Sequence, residues 1–158
     1  MISEFDIKCL EKAIEIANCN IDFGGGPFGA VISENNLIIS ESGNKVRIIN
    51  DPTAHAEIEA IRIACKIKGT FTLENCTIYS SCEPCPMCLG AIYWAKISRI
   101  IFASTRVDAA KAGFDDNTIY EEIQLPYINR SIETIHLQNT KADSVFKKWI
   151  EIDKKLEY

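Results

Sequence analysis

Two short stretches of this chain carry residue types that bind metal ions and move protons: His55-Ala56-Glu57 and Pro84-Cys85-Pro86-Met87-Cys88. Each falls at the start of a predicted helix. Cys85 and Cys88 are three apart in a first helical turn, which puts both sulfurs on one side, and a helix N-terminus favours thiolate over thiol. Two thiolates and one neutral imidazole suit tetrahedral zinc, so one ion per chain on His55, Cys85 and Cys88 is expected. Three protein ligands leave the fourth position to a catalytic water or hydroxide, whose pKa zinc brings down to about 7. Glu57 stands two residues from His55, roughly 200° around an ideal helix, so the two share no lateral face. At the helix mouth both still reach a metal lying over the end. Glu57 is then a general acid and base rather than a ligand.

A rival reading uses Cys82. The spacing Cys82-x-x-Cys85-x-x-Cys88 allows a fourth sulfur, which would close the site and make a structural zinc module that binds a protein partner. Glu83-Pro84 places Cys82 before the helix, at a strand end, and this counts against the closed site.

The elements that position these residues follow from periodicity. Ser3 with Asp6 forms a capping-box pattern, and Ile7, Leu10, Ile14, Ala17 and Ile21 continue it as an amphipathic helix ended by Gly24-Gly25-Gly26-Pro27. No Lys-Ser/Thr follows these glycines, so they are a turn and not a phosphate loop. Phe28 to Ser33 and Leu37 to Ser40 read as a hairpin, followed by a polar loop at Gly43-Asn44. Asp51-Pro52 is expected to open a helix running to Lys68. A strand over 76–81, a helix from Pro84 to Ala95 and a strand over 99–103 make a parallel crossover unit. One or two short helices over 107–125, a strand over 132–137 and a helix marked by Val145, Trp149, Ile152 and Leu156 complete the order. His136, in that last strand, reads as structural, and Cys9, Cys19, Cys65 and Cys76 as small buried core residues.

Composition bounds the function. The 158 residues suit a single α/β domain over 1–158, and 47% hydrophobic with 25% charged residues excludes a disordered or fibrous chain. No stretch reaches the roughly 18 to 20 apolar residues of a membrane helix, and Met1 to Asp6 carries no export pattern, so a cytoplasmic protein without a membrane partner is expected. Seven cysteines then read as reduced thiols. A net charge of −5 without a basic stripe disfavours nucleic acid as a partner.

His-x-Glu followed by Pro-Cys-x-x-Cys is the signature of zinc nucleobase deaminases, and the chain resembles the cytidine deaminase superfamily over nearly its whole length. Within it, Gly25 to Ile32, Asn50 to Glu57, Thr77 to Trp94, Asp108 to Asp116 and the terminal Glu157-Tyr158 are similar to bacterial guanine deaminases. The resemblance implies a three-layer α/β/α fold with a five-stranded mixed sheet and zinc between two helix N-termini. It implies hydrolysis of guanine to xanthine and ammonia, with Asn44 and Asp116 hydrogen-bonding the purine and Phe28 and Trp94 walling its pocket. On residues alone, Phe28 and Trp94 are equally readable as core, and Asp115-Asp116 as a solvated pair. The resemblance further implies a homodimer exchanging C-terminal helices over 143–158, with Tyr158 over the partner's pocket. Deamination of cytosine, a triazine or transfer-RNA adenosine is the neighbouring alternative.

Overall fold

The computed structural model describes residues 1–153. Ser3 starts α1 (Glu4–Asp22) with a reciprocal cap: its hydroxyl accepts from the Asp6 amide at 3.1 Å, and the Asp6 carboxylate accepts from the Ser3 amide at 2.8 Å. β1 (Gly26–Glu34) and β2 (Leu37–Asn44) form the hairpin, turned by Asn35 and Asn36 with φ of 52° and 60°. Asparagine tolerates this left-handed pair that tight hairpin turns require. A short α2 (Val46–Ile49) leads to α3 (Ala56–Lys68), which stops at Gly69 with φ 64°. β3 (Thr77–Cys82), α4 (Pro86–Trp94), β4 (Arg99–Ser104) and α5 (Arg106–Lys111) follow.

The sheet order is β2-β1-β3-β4, antiparallel except for the β3–β4 pair joined through α4. Period-two alternation divides its side chains between two cores. Ala30, Ile32 and Ile78 pack with Ala56, Ala60 and Ala64 of α3 and Ile92 of α4, while Val31 and Tyr79 pack with Cys9 and Ala13 of α1. Alanines at every fourth position let α3 lie close to the sheet. The result is the expected three-layer arrangement, with helices on both sheet faces.

The chain divides into two compact units, Met1–Asp116 and Asn117–Tyr158. The second contains α6 (Asn117–Gln124), a 3-10 turn over Tyr127–Asn129 and α7 (Thr140–Ile150). Four strands are present among the described residues, not five. Residues 131–139 carry no strand, and His136 is exposed there. In a strand, Ile135 and Leu137 would share a face with Glu133, while Ile132 would stand on the other with Thr134 and His136, so apolar residues fall on both faces and the register is only weakly specified. Gly43-Asn44 belongs to the end of β2 rather than to a loop. Cys9 and Cys76 are buried as expected, but Cys65 is half-buried and Cys19 is exposed. Leu156 and Tyr158 lie outside the described residues.

Asp6 ties α1 to the sheet. Its carboxylate, 4% exposed, accepts from Tyr79 Oη at 2.8 Å and from both Arg99 nitrogens at 2.8 and 3.2 Å. The Ser3 amide first, then Arg99 and Tyr79, hold this carboxyl well below the usual range against the opposing effect of burial. Burial in turn pushes the Tyr79 hydroxyl up to about 12. Asp6→Ala is predicted to lower stability by about 2 to 3 kcal/mol at neutral pH, read as a lower urea midpoint at unchanged slope. A depressed carboxyl lends stability that is present above its unfolded pKa of about 4 and lost as pH falls toward the folded value. The gap between Asp6→Ala and the unaltered chain should therefore narrow below about pH 4. A gap unchanged at pH 3 would contradict the assignment.

Candidate active site at the mouths of two helices

His55 is the N-cap of α3 and Cys85 the N-cap of α4. Both have extended backbones, with φ and ψ of −66° and 156° and of −64° and 169°, and neither side chain caps its own helix. Ser, Thr, Asp or Asn at such a position would turn inward to a free amide. Imidazole and thiol instead point out from the helix ends, where the free N–H groups and the helix dipole favour negative charge.

The three expected ligands meet. His55 Nδ1 lies 3.5 Å from Cys85 Sγ and 3.5 Å from Cys88 Sγ, and the three ligand atoms all fall within 4.8 Å of one another. With zinc–sulfur near 2.3 Å and zinc–nitrogen near 2.0 to 2.1 Å, the nitrogen–sulfur edge of a tetrahedron is roughly 3.6 Å. The donor set and its spacing therefore fit zinc. The Cys88 hydrogen bond, with help from His55 and against burial, lowers Cys85 to about 4, while the same bond and burial push Cys88 far upward. The Cys85 sulfur also raises His55.

Cys82 stands apart from this group. Its thiol donates to the Thr105 carbonyl at 3.6 Å, and burial pushes it up to about 11. It lines a cavity of about 350 Å³ with Ile14, Ala17, Phe28, Asp108 and Phe114, a cavity that none of the three ligands lines. The fourth sulfur of a closed site is thus not supplied by Cys82.

Glu57, 6% exposed, hangs beside the ligands at the second position of α3. Its Oε1 accepts from Ser80 Oγ at 3.1 Å and its Oε2 from Cys88 Sγ at 3.4 Å. Burial is the main cause that raises its pKa.

The helix carrying His55 and Glu57 starts later than Asp51-Pro52 implies. Asp51 Oδ1 accepts from the Thr53 amide at 2.8 Å and the Thr53 hydroxyl at 2.7 Å, which closes an Asx turn over 51–53 in place of a helix cap. Lys45 N donates to Ala54 O at 2.8 Å, so the end of β2 is tied to the residue before His55. Asn44, the buried last residue of β2, immediately precedes this tie. Its Oδ1 accepts from the Val46 amide at 3.2 Å, so its amide NH₂ is the end turned elsewhere. The Asn44 backbone is held by a residue the sequence did not single out: Asn20 Nδ2 donates to Asn44 O at 2.8 Å and Gly26 O at 2.7 Å. A Cβ at Gly25 or Gly43 would overlap the Asn20 side chain, so glycine is required at both.

Phe28 lies where the β1–β2 register shifts between Gly26 and Gly29, an irregularity that re-aims side chains, and its ring meets Phe114 edge to face at 4.9 Å. Two residues on, Asp116 is half-buried; burial raises its pKa, Arg106 opposes, and Cys85 is close enough to add to the rise. Trp94 differs. It ends α4, about 14 Å along the helix from Cys85, and is 66% exposed, so it does not wall this chain's own site. Tyr158 lies outside the described residues.

Residues 3–104 match the family described as the cytidine and deoxycytidylate deaminase zinc-binding region. The guanine deaminase of Bacillus subtilis is 49% identical over 150 residues, 94% of this chain and 96% of that protein. The X-ray structure of guanine deaminase from Bacillus subtilis superimposes with a TM-score of 0.93 at 48% identity, covering 96% of this chain and 98% of that one. A tRNA-specific adenosine deaminase of Haemophilus influenzae is 39% identical over 120 residues, 72% of this chain and 69% of that protein. With its ligand triad, adjacent carboxylate and sheet in these positions, the chain belongs to the cytidine and deoxycytidylate deaminase family.

Proposed function

We propose that this protein is a zinc-dependent guanine deaminase that converts guanine and water to xanthine and ammonia. The observation that carries the chemistry is the convergence of His55, Cys85 and Cys88 with the buried Glu57 beside them. What supports guanine is the extent of the likeness: the Bacillus subtilis guanine deaminase matches 94% of this chain, into its second unit, whereas the adenosine deaminase of transfer RNA matches 72%.

His55, Cys85 and Cys88 would hold the ion, and zinc bound there supplies a Lewis acid that makes water nucleophilic near neutrality. Glu57 takes one proton from the water that adds to C2 and gives it to the ring nitrogen; it then takes the second proton from the new C2 hydroxyl and passes it to the amine, so that C2=O forms as the C2–N bond breaks and ammonia leaves. The burial that raises its pKa makes the carboxylate a stronger proton acceptor than an exposed glutamate, which favours this exchange. The Asn44 NH₂ donates, so it reads an acceptor; the Asp116 carboxylate accepts, so it reads an N–H. Guanine presents O6 and N7 as acceptors, whereas adenine places a donor amine at the position of O6. Facing O6, the Asn44 NH₂ would disfavour adenine; facing N7, which is an acceptor in both bases, it would not discriminate.

The exposed apolar residues Val145, Phe146, Trp149 and Ile150 of α7 support a homodimer in which the C-terminal helix is exchanged and covered by a second copy. In such a dimer Trp94 and Tyr158 of one copy are available to wall the pocket of the other.

The zinc-loaded protein should release ammonia from guanine, and Glu57→Ala should lose at least about 100-fold in turnover while keeping one zinc per chain by elemental analysis. Cys88→Ala should lose the metal as well. Intact turnover in Glu57→Ala, or release of zinc from it, would contradict the role of Glu57. Asn44→Ala and Asp116→Ala should keep zinc and lower kcat/KM for guanine by roughly 10- to 100-fold, the loss of a buried hydrogen bond worth about 1 to 3 kcal/mol. Unchanged discrimination between guanine and adenine in both variants would remove them from substrate binding.

A further inference from the structure

Ser80 sits in mid-sheet on β3, 1% exposed, paired across to Ala30 of β1 and Phe102 of β4. By the alternation of the strand its side chain shares a face with Ile78, the face covered by α3 and α4, where Glu57 descends from the mouth of α3. The other buried serines of the sheet among the described residues bond elsewhere. Ser40 donates to Ala60 O, Ser42 to Gly43 O and Ser33 to the Tyr79 hydroxyl, and Ser81 accepts from the Gly29 amide. Ser80 donates to Glu57 Oε1 at 3.1 Å.

We propose that Ser80 is a positioning residue: its hydroxyl, fixed by the sheet, holds one oxygen of Glu57 so that the other faces the reacting base. This rests on the proton-transfer role of Glu57 above. Among the described residues two side chains donate to the Glu57 carboxylate, Ser80 to Oε1 and Cys88 to Oε2. A cysteine that ligates zinc does so as the thiolate and has no proton to give, so the Cys88 bond ends when metal binds. Ser80 then remains as the side-chain donor to that carboxylate. Without it the carboxylate, on three rotatable side-chain bonds and beside a thiolate of like charge, keeps the Glu57 backbone amide as a donor but loses its tie to the sheet. The contact spans 23 residues of sequence and links the sheet directly to the proton-transfer group.

The experiment compares Ser80→Ala and Ser80→Thr with the unaltered enzyme, all loaded with zinc. Ser80→Ala should lower kcat roughly 10- to 100-fold, the cost typical of a misplaced catalytic group, with KM for guanine, zinc content and melting temperature retained. Ser80→Thr, which keeps the hydroxyl, should recover most of kcat. A crystal structure of zinc-loaded Ser80→Ala should show the Glu57 carboxylate displaced or in more than one orientation. Unchanged kcat in Ser80→Ala, or a loss shared by Ser80→Thr and traced to missing zinc, overturns the proposal while leaving guanine deamination standing. If the unaltered enzyme deaminates a different base and not guanine, the same kcat ratio is read on that base. An unmoved Glu57 in the Ser80→Ala crystal structure would overturn the role of Ser80 whatever the substrate.

Discussion

The first turn of a helix leaves amide groups without partners, and the residue at its mouth normally turns its side chain inward to satisfy one. In this chain two helices give up that arrangement. His55 and Cys85 occupy the N-cap positions of α3 and α4, make no capping hydrogen bond, and turn outward to converge with Cys88. The unsatisfied helix ends are then an asset, since both dipoles favour the negative charge that develops on sulfur and on the attacking oxygen. The alanine face of α3, the parallel β3–α4–β4 crossover and the turn closed by Asp51 all place these two mouths opposite one another.

Burial of Glu57 follows from the same arrangement. A residue at the second position of α3, over a sheet packed at Ala56 and Ala60, is largely withdrawn from bulk solvent. Its carboxylate is kept in place by hydrogen bonds and not by solvent, and the groups that make them come from β3 and α4. The carboxylate is thereby tied to the middle of the sheet. The residues proposed to contact the base lie outside it, at the end of β2 and in the segment from Phe114 to Asp116.

The ligands and Glu57 are legible in the sequence because their spacing is local: two residues in one motif and three in the other. Helix ends are legible where a single side chain dominates, as with Ser3 and Gly69. The start of α3 is not, because Asp51 and Pro52 promise a helix cap while Thr53 captures the Asp51 carboxylate in a turn. The expected strand over 132–137 rests on apolar content, but apolar residues divided between both faces specify a register only weakly. Ser80 and Asn20 act across 23 and 24 residues on partners brought near only by the fold. Trp94 sits in a matching stretch, yet the nine residues of α4 carry it to the far end from the site.

The central claim is that the centre holds metal through three protein ligands and leaves one position open. X-ray absorption at the zinc edge of the loaded protein tests it most directly. The geometry predicts two sulfur scatterers at about 2.3 Å and two lighter nitrogen or oxygen scatterers at about 2.0 to 2.1 Å, one from His55 and one from solvent. A shell of three sulfurs would bring Cys82 into the centre, close the site, and contradict the account.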